Sequence, residues 1–197
     1  MKQLVLIGAL LGGAAGACGA TDDDRPRTLE YITRTVLAPS CAAAECHSAF
    51  TMEVGDQFDT AEATRRSIVA NVLVNTLDPT SSVLYKSITV GEPSLLDPLS
   101  GLVVRMPFDA PMPDADVALI LHWIEDGAPG AQCLPNADGN GCFVDGTASK
   151  PVYHVAQCVD GQAVKIVMDC PLADPTAIPP KPQSVCSYVT GNGQCTK

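Results

Sequence analysis

Residues 114–128, with the sequence DADVALILHWIEDGA, decide the fold of the first half of the chain. Their apolar side chains recur at intervals of three and four residues, which is the spacing of a helix with one buried face. Asp114 and Asp116 lie in the first turn, where the helix dipole favours carboxylates, and Gly127 provides a C-terminal stop. The stretch therefore predicts a helix. Its buried stripe is formed by Val117, Ile120, Leu121 and Ile124.

Helical patterns also precede this stretch. Apolar residues from Leu29 to Val36 share one helical face, and Pro39 is expected to end that helix. Asp59 followed by Glu62 is a capping box that opens a second helix. The predicted all-α unit has long connections and covers residues 28–130, with upstream helices over 29–38, 59–72 and 82–88.

The remainder of the chain, residues 131–197, is rich in cysteine. Two apolar segments, residues 152–158 and 163–170, flank a turn and predict a β-hairpin. Its register places Cys158 opposite Ala163 and not opposite the other hairpin cysteine, so the disulfide pairing is left open. The predicted fold class is mainly α: a helical domain followed by a small disulfide-rich module with a β-hairpin. The disulfide candidates are Cys133, Cys142, Cys158, Cys170, Cys186 and Cys195.

The first 17 residues have the layout of an export signal. Lys2 gives a positive start, and residues 4–11 form an apolar run that is too short to span a bilayer. Cys18 directly follows small residues and resembles the lipobox cysteine of bacterial lipoproteins, which implies that Cys18 carries a lipid in the cell envelope, at the periplasm or the outer membrane surface. An ordinary signal peptide cut near Ala20 is the alternative. The predicted organisation is a signal peptide over 1–17, a tether over 18–27, the helical domain over 28–130 and the cysteine-rich module over 131–197.

The composition agrees with export and excludes some partners. Nine cysteines in 197 residues point to an oxidising compartment. The net charge of -10 repels phosphate groups, which argues against nucleic acid and anionic lipid as partners. Aromatic residues make up only 5% of the chain, so few large side chains are available for a core.

Residues 39–47 read PSCAAAECH. Two thiols can add to the vinyl groups of a porphyrin, and a histidine directly after the second thiol then lies under the iron as an axial ligand. The segment resembles the haem-attachment motif of c-type cytochromes, in which two residues usually separate the cysteines, whereas four do so here. The resemblance implies one covalent haem c, attached through Cys41 and Cys46, with His47 as the proximal ligand.

Further segments resemble a cytochrome c domain of exported planctomycete-type and myxobacterial-type proteins. They are residues 81–86 (SSVLYK), 103–107 (VVRMP) and 123–128 (WIEDGA). In that family an Arg-Met-Pro loop supplies the distal methionine, which implies that Met106 is the second iron ligand. The chain departs from the family at the cysteine spacer and at Phe108, where a second proline is common.

The choice of Met106 has a chemical basis and two alternatives. A thioether is a soft neutral ligand that favours reduced iron, and Pro107 biases Met106 towards an extended backbone. Met112 is the competing methionine, and His122 on the last helix is a further distal alternative.

The implied function is one-electron transfer, so the protein is predicted to be an electron carrier and not an enzyme. Its acidic surface implies a basic redox protein as partner, with the membrane contacted through the lipid anchor alone. A haemless surface lipoprotein with a disulfide between Cys41 and Cys46, acting as a structural or partner-binding module, is the alternative. A haem enzyme with an open iron site is a third reading.

Metal sites in the rest of the chain are not favoured. Residues 136–141 resemble the opening of a calcium loop, but Thr147 replaces the expected bidentate glutamate, so a plain turn is preferred. His122 and His154 lie in unrelated contexts, which argues against zinc.

Overall fold

The fold is taken from a computed structural model, which describes residues 23–90, 105–172, 176, 184–187 and 194–196. Helices occupy the part before residue 130, and β-strands occupy the part after it. The helices are α1 (Leu29–Ile32), α2 (Ala38–Cys41), α3 (Ala61–Ala70), α4 (Val83–Thr89) and α5 (Asp114–Glu125), with a π-helical turn at Thr33–Leu37 and 3₁₀ turns at Glu53–Gly55 and Pro79–Ser81. The strands are β1 (Asn140–Thr147), β2 (Lys150–Val159), β3 (Gln162–Asp169), β4 (Val185–Ser187) and β5 (Gln194–Thr196).

The expectation that Pro39 ends the first helix is wrong. The helical path runs from α1 through the π turn into α2, and Pro39 lies in the first turn of α2. Proline is tolerated there because its missing N–H is not needed in a first turn. As a result the first cysteine of the 39–47 motif, Cys41, is the last residue of a helix and is buried.

The second helix begins two residues later than predicted and ends two residues earlier. Thr60, and not Asp59, is the N-cap, because its hydroxyl accepts a hydrogen bond from the backbone N–H of Ala63. Asp59 instead accepts a bond from Ala49 N at 2.9 Å, which ties the loop after the cysteine motif to α3. Val72 has a positive φ of 52°, which takes it out of the helix.

Helices α4 and α5 confirm the predictions for residues 82–88 and 114–126 within a residue or two. Trp123 of α5 is fully buried, and its Nε1–H donates to the carbonyl of Pro129 at 3.1 Å. The backbone N–H of Leu29 reaches the same carbonyl at 3.3 Å, so this oxygen joins α1 to α5. The helical core also contains Ile32, Val36, Leu37, Cys41, Phe58, Ile68, Leu84, Ile88, Met112, Leu119, Ile120 and Ile124.

The tail forms more sheet than the predicted hairpin. Strands β1, β2 and β3 pair antiparallel in that order, and β4 and β5 form a separate ribbon. Cys158 lies opposite Ala163, as the sequence predicted. All six tail cysteines form disulfides, in the pairs Cys133–Cys158, Cys142–Cys186 and Cys170–Cys195.

The prediction of a mainly α fold is therefore wrong. The structure is 34% helical and 21% strand, with a three-stranded antiparallel sheet and three disulfides. The helices are short, and β1 (NGCFVDGT) has no alternating apolar pattern that would have predicted a strand.

The sheet is joined to the helical part at the turn between β2 and β3. Gly161 accepts hydrogen bonds from the backbone N–H groups of Gln132 and Cys133, at 2.8 and 3.4 Å. A Cβ atom at Gly161 would lie 2.1 Å from the carbonyl oxygen of Gly130, so only glycine permits this approach. In the part of the chain described above, no helix combines the length and apolar character needed to cross a bilayer.

His154 of β2 holds the three strands together through its ring. Its Nδ1 lies 2.8 Å from Asp169 Oδ1 on β3, and its Nε2 lies 3.0 Å from Asp145 Oδ1 on β1. A neutral imidazole has only one N–H, so both contacts are hydrogen bonds only when the ring is protonated. Burial acts to lower the pKa of His154, but the two carboxylates outweigh it and raise the pKa above its ordinary value of 6.5.

We predict that His154 makes the sheet more stable in mild acid. Because the folded pKa is raised, its contribution is fully present below about pH 6.5 and is lost as the pH rises through the folded pKa. Urea unfolding across this range should show that His154→Gln removes this part of the pH dependence. The control His122→Gln, on α5, should retain it. The same pH dependence in His154→Gln as in the parent chain would contradict the assignment.

Candidate functional site

The cysteine motif folds into a tight loop after α2. Cys46 N donates to Ala43 O at 2.9 Å, and His47 N donates to Cys41 O at 3.1 Å. These two bonds turn the chain back on itself, so the backbone of His47 lies beside the end of α2. The structure thus brings the predicted residues Cys41, Cys46 and His47 into one loop.

The ring of His47 is held in one orientation by its neighbours. It is buried, and its Nδ1 lies 3.1 Å from the carbonyl oxygen of Glu53. A carbonyl oxygen only accepts, so Nδ1 carries the proton of the neutral ring and Nε2 keeps its lone pair. Phe58 packs edge-on with ring centroids 5.2 Å apart, and its N–H donates to His47 O at 2.8 Å. Histidines that ligate metals are commonly fixed in this way by a second partner.

The two cysteines of the motif are both unpaired in the structure, although they differ in exposure. Cys41 is buried, and burial raises the pKa of its thiol to about 12, with a smaller contribution from the neighbouring Cys46. Cys46 is exposed. Since the six tail cysteines bond to one another, Cys41 and Cys46 are left available for another use.

The methionine and histidine candidates lie on other elements. Met106 is half-buried and donates its backbone N–H to Ser87 O, on α4, at 2.7 Å. Residues 103 and 104 of the Arg-Met-Pro segment lie outside the described residues. Met112 is buried in the same apolar cluster as Cys41, and His122 is half-buried on α5. Burial therefore distinguishes Met112, which lies in the core, from Met106, which lies nearer the surface.

The donor set fits a covalently attached haem. Two thiols free of disulfides lie on either side of a short loop, and the following imidazole has its Nε2 available while Nδ1 is occupied. Cys41 and Met112 belong to the same buried apolar cluster.

Two polar residues near His47 were not found by sequence reasoning. Asp56 is buried, and Asn71 Nδ2 donates to its Oδ1 at 2.6 Å. Burial raises the pKa of Asp56, although the hydrogen bond from Asn71 acts in the opposite direction. Fifteen residues separate Asp56 from Asn71, and no spacing rule connects them.

The segment that resembles the opening of a calcium loop, residues 136–141, forms a turn and the start of β1. The side chain of Asn136 accepts bonds from the N–H groups of Asp138 and Asn140, at 2.9 and 3.0 Å, which makes residues 136–140 a turn leading into β1. Thr147 lies at the end of β1. Among the residues described, no group of three or more histidine, cysteine, aspartate and glutamate side chains could hold a metal ion.

Comparison with known proteins gives no relative: no family model, no curated protein and no solved structure matches the chain. The cytochrome c resemblance therefore stays a prediction from the sequence.

We predict that Asn71 stabilises the folded loop by pairing with the buried carboxylate. Asn71→Ala should lower the free energy of unfolding by about 1–3 kcal/mol at neutral pH, because Asp56 loses its donor. Asn71→Asp should cost more, since a second carboxylate adds repulsion. Both losses should shrink in acid, where a protonated Asp56 no longer carries a buried charge.

The control for this measurement is Thr80→Ala, which removes an exposed hydrogen bond to Asp78. It should change the unfolding free energy by no more than about 0.5 kcal/mol. Equal effects of Asn71→Ala and Thr80→Ala in urea unfolding would contradict a stabilising role for the Asp56 pair.

Proposed function

We propose that residues 28–130 form a c-type cytochrome domain that carries one haem and transfers single electrons. The observation that carries the proposal is the loop of Cys41, Cys46 and His47, with both thiols unpaired and with Nδ1 of the imidazole tied to Glu53 O. Haem attachment needs two free thiols beside a histidine, and Cys41, Cys46 and His47 supply these groups.

Each residue has a defined part in this proposal. Cys41 and Cys46 would hold the group covalently, and His47 would bind its iron through Nε2. Glu53 O fixes the ring and its tautomer, and Phe58 limits its rotation. Haem, when bound, supplies an iron centre that exchanges one electron.

A methionine on the distal side would fill the second axial position and restrict the protein to electron transfer. Met106 has the support of the family pattern, and Met112 has the support of its burial in the apolar cluster that also contains Cys41. A filled axial position leaves no site for substrate at the iron, so this proposal describes a carrier and not a catalyst.

The cellular setting is part of the same proposal. The lipobox-like sequence supports lipidation at Cys18, and three disulfides support an oxidising compartment in the cell envelope. The net charge of -10 supports a basic redox protein as partner, with binding that weakens as salt is added.

A haemless partner-binding lipoprotein is the second candidate function. It is favoured by the Cys41 thiol, which is buried and has its pKa raised to about 12, because such a thiol is a poor nucleophile while the loop is folded. Under the haem proposal, by contrast, haem would have to be attached to Cys41 before the loop folds.

We predict a haem c spectrum for the protein exported together with a haem-attachment apparatus. The pyridine haemochrome assay should report one covalent haem for each chain. If no covalent haem is found, the proposal is contradicted and the haemless candidate is favoured. Replacing the distal methionine by leucine should open the reduced iron to carbon monoxide, since the thioether ligand is lost.

Met106→Leu and Met112→Leu form a matched pair for this test. If Met106 is the ligand, only Met106→Leu gains carbon monoxide binding, and the buried Met112→Leu loses less than about 1.5 kcal/mol of stability. If only Met112→Leu gains carbon monoxide binding, Met112 is the ligand. Carbon monoxide binding by the parent chain would contradict a filled axial position and favour the open-site enzyme.

A further inference from the structure

We propose that the loop of residues 106–113 faces the lipid surface, and that Phe108 inserts among neutral lipid headgroups. The inference rests on the proposed lipidation of Cys18, and it adds a second membrane contact to the lipid anchor, which the sequence predicts as the sole contact. It adds an orientation: one end of α5 points towards the membrane, and the disulfide-bonded sheet points away from it.

The first step is the attachment of the N-terminal segment to α5. The Arg25 guanidinium binds the Asp116 carboxylate and donates from Nη2 to Ala115 O at 2.6 Å. The same guanidinium also pairs with Asp23, with Nη2 at 2.7 Å from Oδ2. Residues 23–25 are therefore held against the first turn of α5.

The second step is the direction in which this segment runs. Beyond Arg25, Arg27 pairs with Asp126 at 3.1 Å, and Leu29 N donates to Pro129 O. The chain thus passes along α5 from its N-terminal end to its C-terminal end. Whatever precedes Asp23 joins the domain at the N-terminal end of α5.

The third step is the reach of the anchor. Cys18 lies five residues before Asp23, and five extended residues span at most about 18 Å. The 12 residues of α5 are also about 18 Å long. The lipid therefore lies within about 18 Å of Asp23, at the N-terminal end of α5, whereas the sheet joins the domain beyond the C-terminal end.

The fourth step is the surface exposed at that end. Phe108 is 54% exposed on the loop that leads into α5. Its carbonyl accepts a bond from Arg105 Nη2 at 3.1 Å, and prolines at positions 107, 111 and 113 restrict the backbone. A large apolar side chain on a loop with little freedom enters an interface with a small loss of entropy.

Two carboxylates near Phe108 indicate which class of lipid this loop contacts. Asp109 and Asp114 are exposed on the same loop and at the start of α5. Carboxylates near the surface are repelled by anionic headgroups, so the occupant is a neutral phospholipid such as phosphatidylethanolamine.

Photo-crosslinking tests the orientation in the full-length, acylated chain. Phe108 is replaced by p-benzoylphenylalanine, and the protein is reconstituted into vesicles of phosphatidylethanolamine and phosphatidylcholine. The matched control carries the same group at Val164, which is 55% exposed on β3. Mass spectrometry of the crosslinked peptides then identifies phospholipid adducts. This measurement does not depend on whether the chain carries haem.

The expected result is a phospholipid adduct at position 108 that exceeds the adduct at 164 several-fold. Added phosphatidylglycerol should lower the yield at 108, because it repels Asp109 and Asp114. Arg25→Ala in the 108 chain should also lower the yield, since the lipid anchor stays but the domain is no longer oriented.

Two results would overturn the inference, and they are distinguishable. If Cys18 carries acyl chains but the adducts at 108 and 164 are equal, or 164 is higher, the orientation is wrong and the proposed anchor stands. If the N-terminal peptide carries no acyl chain, the anchor fails and the orientation fails with it.

Discussion

Two consecutive carbonyl groups, those of Pro129 and Gly130, join the parts of this protein. Pro129 O accepts the N–H of Leu29 and the indole N–H of Trp123, so it links α1 to α5. Gly130 O accepts Arg65 Nε at 2.7 Å and so links α3 to the same turn. The β2–β3 turn packs so closely against Gly130 that residue 161 must be glycine. The helical part and the sheet therefore share one short connector, where buried donors and acceptors are satisfied together.

The candidate site is built differently, from local backbone bonds. The bonds within residues 41–58 set the positions of both cysteines and of His47, and the core contributes mainly the burial of Cys41 and Phe58. A site of this kind depends little on how the surrounding helices are arranged. The positions of the donor groups and the orientation of the His47 ring are therefore properties of the loop itself.

The sequence was most informative where the signal is local and periodic. Helix α5, helix α4 and the position of Cys158 opposite Ala163 all followed from spacing. The buried face of α5 was only half right, because Leu119 and Trp123 are buried where the sequence predicted Val117 and Leu121. Features that depend on distant partners were missed. Strand β1 has no alternating pattern and forms by pairing with β2, and the short β4–β5 ribbon is tied to the sheet by disulfides. Pro39 lies in the first turn of α2, where proline is tolerated, and the bond between Asp56 and Asn71 appears only when two loops meet.

The central claim is that Cys41 and Cys46 hold a haem above His47, and the mass of the peptide that contains them tests it most directly. The protein is exported with a haem-attachment apparatus, reduced, and digested so that one peptide includes both cysteines. The account predicts that this peptide keeps the mass of one haem after reduction, because thioether bonds are not reducible. A peptide with two free thiols, or with a disulfide before reduction, would contradict it.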